Sequence, residues 1–198
     1  MSDFGDVLGD GRLVAILRGV PRDTALEIAD RVWSAGAGVV EVPVQDAAAL
    51  DVLAALAHEA RARGAVVGAG TVVSTELVER AVAAGAAFTV APGFDPEVAA
   101  ASARAGLPHL PGVATASEVQ AAGRAGCAWL KAFPAGSLGA SWFKELRGPF
   151  PDARFAATGG VTAANLRGFL DAGARAVGIG SAVSTPEGLA EVLAALDV

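Results

Sequence analysis

The chain has 198 residues, 15 Lys+Arg against 21 Asp+Glu for a net charge of −6, and 53% hydrophobic residues. That length and apolar content suit one folded domain spanning residues 1–198 and exclude a disordered chain. An acidic balance without a Lys/Arg run argues against nucleic acid or an anionic membrane as partner, and charged residues interrupt every apolar run before it reaches the length of a spanning helix.

The opening Met1-Ser2-Asp3-Phe4-Gly5-Asp6 lacks a basic patch leading into an apolar segment, so no secretory signal is expected. Cys127 is the only cysteine, which excludes an intrachain disulfide and points to a reducing cytoplasm. A strand is expected over Val14–Leu17, a helix over Thr24–Ala35, a strand over Gly38–Val42 and a helix over Ala47–Arg63. Strand Ala65–Gly68, helix Thr75–Ala84, strand Phe88–Ala91 and helix Pro96–Ala105 follow. After them come strand His109–Pro111, helix Ser117–Ala125, strand Ala128–Ala132 and a shorter helical piece at Trp142–Leu146. Strand Arg154–Ala157, helix Ala163–Ala172, strand Ala176–Gly180 and helix Pro186–Leu196 end the series.

One phrase recurs along this series: an amphipathic stretch closing on Ala-Gly or Arg-Gly, then a short apolar run. The closing glycines Gly36, Gly64, Gly85, Gly106, Gly126 and Gly173 are separated by 28, 21, 21, 20 and 47 residues, the last gap fitting two units with a boundary near Gly148. Glycine just past a helix supplies the left-handed residue that ends it. Ser74, Asp95-Pro96 and Thr115-Ala116-Ser117-Glu118 read as helix caps. Eight short apolar strands alternating with helices imply parallel strands buried on both faces, closed into a single-domain α/β (β/α)8 TIM barrel. An open Rossmann-type sheet is the alternative, but Arg18-Gly19-Val20-Pro21 stands where its glycine fingerprint would follow the first strand.

Barrel chemistry belongs at the C-terminal strand ends. Only two lysines occur, Lys131 and Lys144, and Lys131 lies inside the sixth strand. Alternation puts it on one face with Trp129 and Phe133. Desolvation lowers a lysine's pKa and favours the neutral amine that attacks carbonyls, although a structural ion pair would also explain its burial. Glu41 is the only acid expected inside any strand, a candidate proton shuttle or a plain counter-ion. Arg18 closes the first strand, where its fork suits a carboxylate or phosphate, or faces solvent without a role. Thr158-Gly159-Gly160 and Gly178-Ile179-Gly180-Ser181 end the last two strands, where backbone N–H groups can cradle phosphate. Gly68-Ala69-Gly70-Thr71 would add a hydroxyl and free amides at the same mouth. His58, His109 and Cys127 read as structural, and no metal-ligand spacing is present.

The phrases Val40-Glu41-Val42-Pro43, Val67-Gly68-Ala69-Gly70-Thr71, Ala91-Pro92-Gly93, Leu110-Pro111-Gly112, Leu130-Lys131-Ala132-Phe133-Pro134-Ala135 and Ala157-Thr158-Gly159-Gly160-Val161 resemble the 2-keto-3-deoxy-6-phosphogluconate aldolases. The resemblance runs in order from about Leu13 to Ser181. It implies a trimeric (β/α)8 class I aldolase that uses no cofactor or metal. Its substrate would be a phosphorylated keto acid cleaved to pyruvate and glyceraldehyde 3-phosphate, with 4-hydroxy-2-oxoglutarate a further possibility. It also implies Schiff-base formation on Lys131, acid–base work by Glu41, and a pyruvate end lined by Thr71, Pro92 and Phe133. Phosphate would be held by Thr158, Gly159, Gly160, Gly180 and Ser181. Gln45 stands where many members carry a carboxylate-binding arginine. Ala15-Ile16-Leu17-Arg18-Gly19 instead resembles the 2-keto-3-deoxy-6-phosphogalactonate branch, in which the arginine after strand one takes that role. The preferred C4 epimer stays open between the branches. A phosphosugar isomerase or synthase, or a non-catalytic phosphometabolite-binding protein, would share the glycines but would not need the strand lysine.

Overall fold

The apolar runs form parallel strands in the computed structural model, which describes residues 3–197. Residues 1, 2 and 198, which the single-domain expectation also takes in, lie outside them. In chain order the first half comprises α1 (Phe4–Leu8), β1 (Leu13–Ile16), α2 (Arg22–Ser34), β2 (Gly38–Pro43), α3 (Ala47–Arg63), β3 (Val67–Gly70), α4 (Thr75–Ala83) and β4 (Thr89–Val90). Then follow α5 (Pro96–Arg104), β5 (His109–Leu110), β6 (Gly112–Val113), α6 (Ala116–Arg124), β7 (Trp129–Ala132), α7 (Ala135–Arg147), β8 (Arg154–Thr158), α8 (Leu166–Asp171) and β9 (Ala176–Ile179). A 3-10 turn over Ser181–Ser184 leads into α9 (Pro186–Leu196).

The sheet runs β5-β4-β3-β2-β1-β9-β8-β7-β6, all neighbours parallel. Its two ends, β5 and β6, are halves of one extended stretch interrupted at Pro111, which has no N–H for a ladder. The Pro111 carbonyl still accepts the Lys131 N–H at 2.8 Å, so this stretch bridges β4 and β7 and nearly closes an eight-fold barrel.

Register fixes the height of every inward residue. Counting along the pairings from Lys131 through Ala156 and Ala176 arrives beside Ala37; counting the other way through Gly112 arrives beside Gln45. The arrivals differ by eight residues, the stagger of an eight-stranded barrel of this class. Inward residues then fall into layers. Val39, Phe88, Trp129 and Ala176 form the lowest, with Val14, Gly68, Leu110 and Ala156 above them. Gly68 carries no side chain because the Phe88 ring fills its place, 2.4 Å from where a Cβ would stand. A separate apolar layer between the barrel and its helices holds Leu130, Val40, Leu53, Phe143 and Phe155.

Several expectations need correction. The five-residue α1 was not anticipated, since so short a segment has no readable period. Phe4 from it sits under the barrel with edge-on contacts to Phe88 and Trp129, 5.3 and 5.6 Å between centroids. β3 runs to Gly70, two residues beyond the expected end, so Gly68 and Gly70 are wall residues rather than loop amides. Helix α7 starts at Ala135 instead of Trp142, because a kink at Gly139 (φ 76°) joins two helical pieces there. α8 begins only at Leu166, after a turn over residues 163–165. The anticipated caps do form: Ser74 and Asp95 accept first-turn N–H groups, and Thr115 and Glu118 cap each other's backbone. Among the described residues no helix is long and apolar enough to cross a membrane.

Candidate active site

Above the two apolar layers the barrel interior changes character. The next layer consists of Glu41 on β2, Val90 on β4, Lys131 on β7 and Gly178 on β9. Glu41 lies midway between Ala37 and Gln45, so it stands level with Lys131 on the opposite wall of the barrel. Both are buried, Glu41 at 1% exposure and Lys131 at 5%. Yet they do not pair: no ion pair within 4.0 Å joins them, and Glu41 Oε1 has no hydrogen-bond partner among the described residues. The structural ion pair that could have explained Lys131 is therefore not formed. An unpaired buried carboxylate oxygen is costly and persists where something other than packing requires it.

The carboxylate leans towards the C-terminal mouth. A Cβ on Gly70 would lie 1.9 Å from Glu41 Oε1, so only glycine leaves it room. Lys131 Nζ stands 5.1 Å from the centroid of the Phe133 ring, the residue that directly follows β7. In the rim layer Ile16, Gly70, Gly112 and Thr158 surround the opening. The Thr158 hydroxyl overhangs Gly178, 2.5 Å from where a Cβ there would stand.

Period-two alternation carries Pro92, Phe133 and Gly180 to the inward position just above the rim, and Arg18, two residues past the rim residue Ile16, to the level above them. Arg18 is exposed and holds Gln45 Oε1 through Nη1 and Thr71 Oγ1, at 3.4 Å, through Nη2. Gln45 thus contacts the sequence-flagged arginine, a partnership across 27 residues of chain that the sequence did not reveal. Thr71 has φ 59°, a left-handed conformation that a β-branched residue adopts only under constraint from its surroundings.

Gly159 (φ 88°) and Gly160 (φ 76°) follow β8 in succession, with Gly180 and Ser181 beside them past β9. The backbone N–H groups of Gly159, Gly160, Gly180 and Ser181 find no acceptor among the described residues. Free N–H groups from two adjacent strand ends form a concave donor set suited to an anion. The sequence did not single out Asn165, whose side chain ties this loop; its only signal was a polar residue three after Thr162.

The other titratable candidates lie elsewhere. His58 is exposed on α3. His109 Nδ1 hydrogen-bonds Thr89 Oγ1 at 2.8 Å, which in turn bonds Ser102 Oγ at 2.9 Å, a polar chain outside the barrel lumen. Burial pushes the His109 pKa down to about 4, partly offset by the Asp95 charge. Cys127 is half-buried before β7, and burial raises its thiol pKa, the opposite of a reactive cysteine.

A family model described as "Aldolase: KDPG and KHG aldolase" matches residues 5–192. The chain is 35% identical over 175 residues to a probable 2-dehydro-3-deoxy-6-phosphogalactonate aldolase of Rhizobium meliloti (strain 1021), covering 88% of this chain and 82% of that one. Among solved structures, a 4-hydroxy-2-oxoglutarate aldolase/2-deydro-3-deoxyphosphogluconate aldolase from TTHB1 superposes with a TM-score of 0.87 at 35% identity, covering 98% of each chain. The KDPG aldolase of Legionella pneumophila, holding pyruvate as a covalent carbinolamine, superposes with a TM-score of 0.86 at 27% identity, covering 100% of this chain and 98% of that one. These relatives are named as aldolases, carbon–carbon lyases, and the chain belongs to the KDPG and KHG aldolase family.

Proposed function

We propose that this class I aldolase cleaves a 2-keto-3-deoxy-6-phospho-sugar acid to pyruvate and glyceraldehyde 3-phosphate, with Lys131 as nucleophile and Glu41 as acid–base residue. The single observation behind this reading is the level placement of an unpaired amine and an unpaired carboxylate on opposite walls just below the mouth. Lys131 attacks the C2 ketone as a neutral amine, and Glu41 moves the protons as the carbinolamine loses water. The resulting iminium accepts the electron pair of the C3–C4 bond while Glu41 takes the proton from the C4 hydroxyl. Glyceraldehyde 3-phosphate leaves, the enamine is protonated at C3, and water hydrolyses the iminium to pyruvate and free lysine.

Arg18 would hold the substrate carboxylate, steadied by Gln45 and Thr71. Thr71, Pro92 and Phe133 would line the pyruvate end, and Thr158 would stand beside the phosphate. Gly159, Gly160, Gly180 and Ser181 would hold the phosphate. Arg18 with Gln45 speaks for the galactonate epimer, and the Thr158-Gly159-Gly160 phrase for the gluconate one. Family resemblance further implies a homotrimer and cleavage of 4-hydroxy-2-oxoglutarate as well, and the single cysteine, Cys127, points to the cytoplasm. An isomerase or a non-catalytic binder would have no use for the Lys131–Glu41 pair.

The test is to assay both C4 epimers and 4-hydroxy-2-oxoglutarate with the wild-type protein and Glu41→Gln. At least one phosphorylated epimer should be cleaved, and the variant should stay folded while losing roughly 10²–10⁴-fold in turnover. Undiminished turnover in Glu41→Gln would reject the carboxylate's role.

A further inference from the structure

Two left-handed glycines in succession have little conformational preference of their own, so the turn after β8 must be held by its partners. Gly159 O accepts the Gly136 N–H at 2.8 Å, and Gly160 O accepts Asn165 Nδ2–H at 2.9 Å. Asn165 Oδ1 meanwhile accepts the Thr162 N–H at 2.8 Å. A donor at one end of the amide and a carbonyl at the other leave a single consistent orientation for this side chain. In a trans peptide the N–H points opposite to the C=O. Anchoring Gly159 O therefore aims the Gly160 N–H, and anchoring Gly160 O aims the Val161 N–H. Val161 is buried at 6% exposure, and its N–H finds no acceptor among the described residues. A backbone donor that no protein acceptor takes up is left for solvent or for a ligand acceptor.

We propose that Asn165 is a positioning residue that sets the preference for phosphorylated over unphosphorylated keto acids, by fixing the peptide plane through which the Val161 N–H joins that of Gly160 on the phosphate. The inference rests on the reading of this loop as the phosphate site. Asn165 itself does not touch the substrate; it acts through the Gly160–Val161 peptide.

The experiment measures KM and kcat for one 2-keto-3-deoxy acid with and without its 6-phosphate, in wild type, Asn165→Ala and Asn165→Asp. Asn165→Asp keeps an acceptor for Thr162 N–H but sets a carboxylate against the Gly160 carbonyl, so it separates the latch from the turn. Both variants should raise KM for the phosphorylated acid about tenfold or more with kcat within about twofold, while KM for the unphosphorylated acid stays put. An equal rise in both KM values would mean general loosening of the turn and would overturn the proposal, as would an unchanged ratio. If wild type itself cleaves the two acids with the same KM, the phosphate site falls and the latch with it. If wild type discriminates and both variants discriminate equally, only the role of Asn165 falls.

Discussion

Gly70 decides where the Glu41 carboxylate can stand. A methyl group at that position would lie 1.9 Å from Oε1, far inside contact distance, so the carboxylate must swing away or the strand must shift. Gly70→Ala should therefore lower turnover by about 10²-fold, the order of lost acid–base assistance, while a circular-dichroism melt still shows a cooperative transition. Near-normal turnover would mean that the carboxylate need not occupy this place. At this scale the charged residues were legible and the glycine was not. Lys131 and Glu41 stand out because charge inside a short apolar strand breaks the pattern, and period two says which way it points. Gly70 reads in sequence as one more turn glycine, since its close approach to Glu41 comes from the β2–β3 register. Arg18 was visible as a charge ending a strand, but its contacts with Gln45 and Thr71 cross 27 and 53 residues of chain.

Elements were legible where their ends carry local chemistry. Ser74, Asp95 and Thr115–Glu118 fix helix starts through their own side chains, and left-handed glycines such as Gly64 fix stops. Elements defined by tertiary contact were not legible: α1 exists because Phe4 fills the barrel floor, and the break between β5 and β6 follows from Pro111. One pairing of elements carries a pH signature. β4, α5 and β5 share the buried Thr89–Ser102–His109 chain, in which His109 is held neutral down to about pH 4. An unfolded histidine takes up its proton near pH 6.5, so between about 6.5 and 4 the unfolded chain binds more protons than the folded one. The stability that this histidine contributes is thus present above pH 6.5 and drains away as pH falls towards 4. Denaturant titrations across that range should show wild type losing more stability on acidification than His109→Asn. Parallel losses would place the acid sensitivity elsewhere.

For the whole molecule, glycine stops about 21 residues apart, each followed by an apolar run, are enough to give eight parallel strands and hence a barrel. What they cannot give is the stagger, because register depends on how every strand settles against its neighbours. The stagger brings Glu41 level with Lys131. It also divides the barrel along its axis, with Phe4, Phe88 and Trp129 packed at one end and the polar layer opening at the other. Apolar packing at the floor holds the walls at fixed distances, and the unpaired Lys131 and Glu41 occupy the level between floor and rim. The claim that matters most is that Lys131, and not the exposed Lys144 on α7, bonds covalently to the keto acid. The most direct measurement is borohydride reduction in the presence of pyruvate, followed by peptide mapping by mass spectrometry. One reduced adduct per chain on Lys131, absent from a folded Lys131→Ala variant, is the required result; an adduct on Lys144 alone, or none at all, would contradict it.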